Sequence, residues 1–224
     1  QGVTLTGSEL AGSKVGALAG KAIKKSVLEL GGSDVVIVLQ DADMQKAAQV
    51  ATLSRMQNAG QSCIAAKRFI TVGKAKDAFT DAVQKEIAKL RQGNPFDENI
   101  TTGPMARIDL AEKLEKQFKR SITKGAQFIT GGQRNGCNFT PALLTNVAEG
   151  MATFDEEVFG PVASIIEAKD EAAAIRFAND SRYGLGAAIW SADIEKAQVM
   201  AKEIEAGGVF INALVKSDPR YPFG

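Results

Sequence analysis

Histidine is absent from the 224-residue sequence, and cysteine occurs only as Cys63 and Cys137. The lack of histidine excludes self-contained sites of the papain-like, caspase-like and Ser-His-Asp hydrolase kinds, because imidazole is the usual base that activates their nucleophile. Two cysteines without a histidine also exclude an ordinary tetrahedral zinc site, so we expect no metal. The chemistry that remains is a thiolate that attacks an electrophilic carbon, with a carboxylate that handles protons and water.

A strong charge bias is missing as well, since 27 Lys and Arg residues stand against 26 Asp and Glu residues without a basic cluster. Nucleic acid is therefore not an expected partner, because binding to its phosphate backbone needs concentrated positive charge. There is no apolar run of membrane-spanning length and no secretory signal, so no membrane partner is expected either. Two cysteines do not make a disulfide scaffold, and the expected location is the reducing cytoplasm.

Short β-branched runs alternate with longer helical patterns along the chain. This alternation predicts an α/β fold with βαβ units and a largely parallel sheet flanked by helices. With 45% hydrophobic residues, the chain can bury a substantial core. Strands are predicted at residues 3–8, 35–39, 68–72, 127–130, 162–166, 185–190 and 209–211, and helices at 13–24, 44–59, 75–91, 108–124, 170–179 and 194–204.

Neither end of the chain looks like a natural boundary. The first predicted strand runs directly into a turn, as if the chain entered in the middle of a fold. At the other end the sequence stops soon after the turn-forming pair Asp218-Pro219. We therefore expect a fragment of a larger polypeptide, truncated at its C-terminus.

Two motifs contain the residue types that thiol chemistry needs. Cys63 ends the stretch Asn58-Ala59-Gly60-Gln61-Ser62-Cys63, and Glu29 stands in Leu28-Glu29-Leu30-Gly31-Gly32. Each has a plainer interpretation when taken alone. An isolated cysteine is usually a small core residue, and Glu29 would be the solvent-facing member of an alternating strand. Cys137 has no supporting motif and is interpreted as non-catalytic, while Lys67 and Arg68 are interpreted as solvated charges.

Five motifs, in order and at similar spacing, resemble those of the NAD(P)-dependent aldehyde dehydrogenase superfamily. The resemblance covers only the C-terminal half of such enzymes. It implies that residues 1–30 are the end of a cofactor-binding domain and that residues 31–224 form the catalytic domain. Residues 61–68 and 212–224 look most like the succinate-semialdehyde dehydrogenase branch. The five motifs are Thr6-Gly7-Ser8-Glu9, Leu28-Glu29-Leu30-Gly31-Gly32, Asn58 with Gly60-Gln61-Ser62-Cys63, Glu156-Glu157-Val158-Phe159-Gly160-Pro161 and Pro222-Phe223-Gly224.

The resemblance implies catalytic roles for Cys63 and Glu29. In the family a cysteine thiolate attacks the aldehyde carbon, a hydride passes to the nicotinamide, and the resulting thioester is hydrolysed. Cys63 would be this nucleophile, and Glu29 the base that activates the hydrolytic water and assists deprotonation of the thiol. The family stabilises the oxyanion with the cysteine N–H and an asparagine, which here would lie before Gln1.

NAD or NADP is implied as cofactor in the same way. Ser8 matches a serine near the pyrophosphate, where a helix N-terminus favours anions. Glu157 matches the carboxylate that binds the nicotinamide ribose, and Phe159 the ring beside the nicotinamide. Leu30 and Gly31 would approach the cofactor and substrate through backbone atoms. Outside the family pattern, Glu157 would be an exposed charge and Phe159 ordinary core.

The implied partner is a small-molecule aldehyde, with succinate semialdehyde as the expected substrate. Ser217 aligns with a serine that helps to hold the distal carboxylate in succinate-semialdehyde dehydrogenases, and Arg220 or Lys216 would add positive charge. The chain departs from some relatives at Gln57, where they have an arginine. Parent enzymes of the family are usually homo-oligomers, either dimers or tetramers.

Two other functions stay open. A CoA-acylating aldehyde dehydrogenase would release the acyl group to a thiol instead of water, but such enzymes typically lack the base that Glu29 would provide. The second alternative is a catalytically incompetent folded module, because most of the dinucleotide-binding fold that would position a nicotinamide is missing from the sequence.

Overall fold

The α/β class predicted from the sequence is confirmed by the computed structural model, which describes residues 1–221. The motif Pro222-Phe223-Gly224 lies outside the described residues. The strands are β1 (Gly2–Thr6), β2 (Lys25–Glu29), β3 (Val35–Val38), β4 (Arg68–Val72), β5 (Gln127–Thr130), β6 (Arg134–Asn135), β7 (Asn138–Phe139), β8 (Ala142–Thr145), β9 (Val162–Ala168), β10 (Gly186–Trp190) and β11 (Gly208–Ile211). The helices are α1 (Glu9–Lys21), α2 (Met44–Met56), α3 (Ala75–Ile87), α4 (Ile108–Thr123), α5 (Ala152–Asp155), α6 (Glu171–Asn179) and α7 (Ile194–Ala201).

A seven-stranded sheet in the order β11-β10-β3-β4-β9-β8-β5 forms the centre of the molecule. Its strands pair in parallel except for β5 and β8 at one edge, so the prediction of a largely parallel sheet is confirmed. Alternate residues of β3 enter two apolar clusters, with Val35 and Ile37 in one and Val36 and Val38 in the other. A strand that is apolar throughout is typical of a parallel sheet whose two faces are both covered.

Residues 2–29 form a separate β-α-β unit, in which β1 and β2 pair in parallel and α1 connects them. Helix α1 begins at Glu9, earlier than predicted, because Ser8 caps it. The Ser8 hydroxyl accepts a hydrogen bond from the Ala11 N–H at 3.3 Å. The unit ends beside the predicted domain boundary at residue 30, and its assignment to a cofactor-binding domain stays a prediction.

Helix α2 is shorter than the predicted span of residues 44–59. It ends at Met56, and the next residues include Asn58, Ala59 and Gly60 at φ values of 51°, 51° and 71°. The prediction was wrong because a left-handed turn replaces the last helical turn. Such φ values are unfavourable for residues other than glycine, and strained backbone of this kind clusters at functional sites.

Asp43 caps the helix that leads into this turn, since its Oδ1 accepts a hydrogen bond from the Lys46 N–H at 3.0 Å. We expect Asp43→Ala to lower the free energy of unfolding by about 1 kcal/mol, because the first turn of α2 loses its side-chain acceptor. Chemical denaturation measures this loss. Asp81→Ala, which removes an exposed carboxylate within α3, is the control and should change stability by less than about 0.5 kcal/mol. Equal losses in the two variants would contradict the capping role.

Within residues 1–221, no helix combines the length and the apolar character needed to cross a bilayer.

Candidate active site

Three of the motifs found in the sequence meet at the amino ends of the central strands. Gly32 precedes β3, Cys63 precedes β4, and Glu157 precedes β9. The Gly32 N–H donates a hydrogen bond to Glu157 Oε1 at 3.0 Å. A Cβ built on Gly32 would lie only 2.4 Å from the Cys63 carbonyl oxygen. The three segments therefore converge on a position where only glycine allows the backbone of Cys63 to come so close.

The Cys63 loop, defined here as residues 57–66, joins α2 to β4 and is held on several sides. A Cβ built on Gly60 would lie 2.4 Å from the Gly160 carbonyl oxygen, so the loop packs directly on the third motif. Gln61 Oε1 accepts a hydrogen bond from the Ala106 N–H at 2.9 Å. The Asn58 side-chain amide donates to the Gln61 carbonyl at 2.9 Å and closes the left-handed turn. Cys63 follows this turn, is half-buried and carries a free thiol.

Glu29, the last residue of β2, is half-buried and lines an open cleft of about 470 Å³. This volume lies in the range of about 300–1,000 Å³ that small-molecule sites occupy. Cys63 is not among the lining residues. Leu185 lines the cleft, and its Cδ1 would lie 2.9 Å from a Cβ on Gly32, the residue that packs against the Cys63 carbonyl. Within the described residues, the Glu29 carboxylate and the Cys63 thiol share no hydrogen bond. The cleft is lined by Glu9, Leu28, Glu29, Leu30, Gly31, Arg182, Tyr183, Gly184 and Leu185.

The residues proposed to contact a cofactor come from three segments of the chain: residue 8, residues 30–31, and residues 157 and 159. Ser8 is exposed at the N-terminus of α1, where helix N–H groups and the helix dipole favour an anion. Leu30 and Gly31 line the cleft, and a Cβ built on Gly31 would lie 2.6 Å from Glu157 Oε2. Phe159 is half-buried two residues further on. Helix N–H groups that donate to phosphate and a carboxylate that accepts from ribose hydroxyls together fit a dinucleotide.

The two residues proposed to bind the substrate follow β11, and both are exposed. Arg220 donates two hydrogen bonds to the Asp218 carboxylate, from Nε at 2.9 Å and from Nη2 at 2.6 Å. Its charge is therefore already matched by a neighbour. Within residues 1–221, neither Ser217 nor Arg220 makes a side-chain hydrogen bond to the Cys63 loop, and their role with a substrate carboxylate stays a prediction.

Lys67 and Arg68 are buried, at 1% and 2% exposure, so their interpretation as solvated charges was wrong. Lys67 Nζ donates to the carbonyl oxygens of Ser62, Cys63 and Ala65 at 3.1, 2.8 and 3.0 Å. Arg68 instead donates to main-chain carbonyls of two other segments. One is Ser33, just before β3, at 3.1 Å, and another is Ala178, in the last turn of α6, at 3.0 Å. Main-chain carbonyls, from the neighbouring loop for Lys67 and from distant segments for Arg68, thus take the place of water around both charges.

Asp34 and Arg55 complete a group of buried charges behind the Cys63 loop. Burial lowers the pKa of Lys67 to about 7 and the Arg55 charge adds to the effect, while Asp34, Glu157 and Cys63 oppose it. Burial also raises the pKa of Asp34 to about 7, against the pull of Lys67 and the arginines. The pKa of Arg55 falls to about 9 for the same reason, and its guanidinium donates to the Gly60 carbonyl. No sequence motif identified this group, because burial depends on how distant segments pack.

Comparison with known proteins agrees with the arrangement of these motifs. The family model described as "Aldehyde dehydrogenase family" matches residues 1–224. The succinate semialdehyde dehydrogenase Sad of Escherichia coli (strain K12), named as using NAD(P)+, is 48% identical over 225 residues, which is 99% of this chain and 49% of the relative. Succinate-semialdehyde dehydrogenase 1 of Mycobacterium ulcerans (strain Agy99), named as using NADP+, is 43% identical over 99% of this chain and 49% of its own length.

A solved structure shows the same likeness in three dimensions. The crystal structure of succinic semialdehyde dehydrogenase from Streptococcus pyogenes, in complex with NADP+ as the cofactor, matches with a TM-score of 0.95 and 38% sequence identity. The match covers 100% of this chain and 50% of that structure. The chain thus spans about half the length of the relatives it matches. On the family match over its whole length, the chain belongs to the aldehyde dehydrogenase family.

Proposed function

We propose that the complete polypeptide carrying this chain oxidises an aldehyde, with succinate semialdehyde as substrate, to the carboxylate with NAD or NADP. The observation that carries the proposal is the convergence of three motifs on Gly32. This residue accommodates the Cys63 carbonyl, donates its N–H to Glu157 and lies three residues after Glu29. The convergence supplies a thiol, a carboxylate and a candidate cofactor contact in one region.

Acylation begins when Cys63 Sγ forms a bond to the aldehyde carbon and the carbonyl electron pair moves to oxygen. The Cys63 N–H is the donor from this chain for the resulting oxyanion. A hydride then leaves the same carbon as the C=O bond re-forms, which leaves an acyl group attached to sulfur as a thioester. The bound nicotinamide supplies the acceptor for that hydride. Each step keeps the sulfur bonded to carbon, so the intermediate cannot diffuse away.

Deacylation needs water, and Glu29 is the base proposed to activate it. Water oxygen bonds to the thioester carbon, its proton passes to the Glu29 carboxylate, and the C–S bond breaks to return the thiolate. The absence of a direct hydrogen bond between Glu29 and Cys63 agrees with a base that acts through an intervening water. Glu29 also lines the cleft through which that water would enter.

The choice of cofactor and substrate is supported by the relatives and by local geometry. The relatives from Escherichia coli and Mycobacterium ulcerans are named as succinate-semialdehyde dehydrogenases that use NAD(P)+ or NADP+. Ser8, Leu30, Gly31, Glu157 and Phe159 are the cofactor contacts proposed for this chain. A substrate carboxylate near Ser217 would compete with Asp218 for the Arg220 guanidinium, so the substrate would have to replace an existing ion pair.

We expect Glu29→Gln to slow steady-state turnover of the complete polypeptide by about 10²- to 10⁴-fold, because a general base contributes a factor of that size. The first turnover should be slowed less than the steady state, since acylation does not require the hydrolytic water and Glu29 only assists deprotonation of the thiol. Rapid-mixing measurements of NAD(P)H formation with succinate semialdehyde separate the burst from the steady state. Glu9→Gln, which changes another carboxylate lining the same cleft, is the control. It should not change the steady-state rate of thioester hydrolysis.

Unchanged deacylation in Glu29→Gln would contradict the assignment of the base. Addition of coenzyme A to the wild-type enzyme tests the acyl-transfer alternative in the same assay. We expect free succinate as the product in its presence, and formation of an acyl-CoA would favour the alternative. Absence of turnover in the complete polypeptide with every aldehyde tried would overturn the proposed function itself.

A further inference from the structure

Lys67 makes three hydrogen bonds that all end on the Cys63 loop. Its Nζ lies 3.1 Å from the Ser62 carbonyl oxygen, 2.8 Å from that of Cys63 and 3.0 Å from that of Ala65. Below its pKa of about 7, Lys67 is an ammonium group with three N–H donors, and these three carbonyls use all of them. Burying such a group is costly unless it is fully hydrogen-bonded, and here the backbone of a single loop satisfies it.

Lys67 is itself held in place from the opposite side. Its main-chain N–H donates to the Asp34 carbonyl at 2.9 Å, just before β4 begins at Arg68. The side chain is 1% exposed and therefore has little freedom to change its position. The lysine thus connects a rigid strand of the central sheet to a loop that contains an energetically unfavourable left-handed turn.

The direction of the Ser62–Cys63 peptide follows from these contacts. The described residues contain no cis peptide bond. In a trans peptide the C=O and the following N–H point in opposite directions. The Ser62 carbonyl is turned toward Lys67 Nζ and also accepts a hydrogen bond from the Ala65 N–H at 3.2 Å. The Cys63 N–H must consequently point away from Lys67, and within residues 1–221 it has no hydrogen-bond acceptor in the protein.

We propose that Lys67 is a positioning residue, whose ammonium group holds the Ser62 and Cys63 carbonyls so that the Cys63 N–H is aimed at the oxygen of the bound aldehyde. This inference rests on the proposed function, because it gives that N–H the task of stabilising the oxyanion. A preorganised donor needs no rearrangement during the reaction, which is why its orientation affects the rate. A neutral side chain of similar length fills the same space but takes the Lys67 donor away from all three carbonyls, and the Ser62 carbonyl keeps only its bond from the Ala65 N–H.

The test uses Lys67→Met in the complete polypeptide and compares two reactions of the same thiol. Attack on succinate semialdehyde generates an oxyanion, whereas alkylation by iodoacetamide does not. We expect the burst rate of NAD(P)H formation at saturating substrate to fall about 10- to 100-fold, because the Cys63 N–H would no longer point at the oxyanion. The iodoacetamide rate should change by less than about threefold, because that reaction needs no oxyanion donor.

Lys76→Met is the matched control. The Lys76 ammonium is hydrogen-bonded too, but to two side chains, Asn146 Oδ1 and Glu167 Oε2, each at 2.7 Å. Lys76 lies toward the carboxyl ends of the strands, away from Cys63. It should keep both rates. Lys67→Arg retains donors and positive charge, so it should recover part of the burst rate that Lys67→Met loses. A parallel fall of both rates in Lys67→Met would overturn the proposal, since Lys67 would then act on the thiol itself. Unchanged rates in both reactions would overturn it as well.

Hydrogen exchange without substrate gives a readout that does not depend on the reaction. Amides of residues 61–66 should exchange faster in Lys67→Met than in wild type, because the loop has lost its three side-chain hydrogen bonds. Unchanged exchange in this segment would show that Lys67 does not hold the loop and would overturn the proposal. A wild-type enzyme that oxidises no aldehyde would contradict the proposed function, and the exchange measurement would still decide whether Lys67 holds the loop.

Discussion

Cys63→Ala in the complete polypeptide is expected to lower kcat/KM for succinate semialdehyde by about 10⁴-fold or more, as removal of a covalent nucleophile does elsewhere. The reason is that Cys63 supplies the only thiol of the loop, residues 57–66, that lies at the convergence of the three motifs. Without the sulfur, hydride loss would have to occur from an aldehyde that is not covalently held. Steady-state production of NAD(P)H measures the effect.

Cys137→Ala is the natural control for this substitution. Cys137 is the second half-buried free cysteine, and its carbonyl accepts a hydrogen bond from the Met105 N–H at 2.8 Å, a contact that survives the change. Wild-type kinetics in Cys137→Ala, together with loss in Cys63→Ala, would assign the chemistry to one sulfur. Comparable activity in both variants would contradict a covalent mechanism at Cys63.

Gly32→Ala is expected to lower kcat by about 100-fold, the effect of displacing a reacting group by roughly 1 Å. The added methyl group would lie 2.4 Å from the Cys63 carbonyl oxygen and 2.9 Å from Leu185 Cδ1. The Leu185 side chain can turn aside, but the contact with Cys63 involves backbone, so the nucleophile itself must move. Overpacking of this kind should also lower stability, by about 1–3 kcal/mol.

Gly20→Ala separates this local effect from a general intolerance of added methyl groups. Gly20 lies in α1, and a Cβ there would meet no atom within 4 Å. Alanine is the better helix former, so stability should stay the same or rise by about 0.5–1 kcal/mol. Activity should be unaffected. Full activity in Gly32→Ala would show that the close contact with the Cys63 backbone does not position the nucleophile.

The pattern of strands and helices could be predicted from the sequence where local periodicity was strong. Strand β4 has its predicted bounds, 68–72, and the alternation of strands and helices correctly predicted a largely parallel sheet. Strand β8 was missed because Ala142–Thr145 has only one β-branched residue, and its alanine and two leucines favour helix by propensity. Its antiparallel pairing with β5 depends on contacts between distant segments.

The candidate site was only partly predictable for the same physical reason. Cys63 and Glu29 were proposed from short motifs, whereas the burial of Lys67 became visible only with the loop carbonyls that surround it. The site also lies at the amino ends of β3, β4 and β9, while ligands of open α/β sheets usually bind at the carboxyl ends. Glu29 ends β2 in the small β-α-β unit and stands three residues before Gly32, so it is the carboxyl end of this added strand that meets the amino ends of the central strands.

The central claim is that an acyl group becomes bonded to the Cys63 sulfur during turnover. Its most direct test is mass spectrometry of the Glu29→Gln protein, quenched in acid after mixing with succinate semialdehyde and NAD(P)+. We expect a succinyl group on the peptide that contains Cys63, formed only when the oxidised cofactor is present. Product formation with no acyl group on Cys63, or with the group on Cys137 instead, would contradict acylation of Cys63 during turnover.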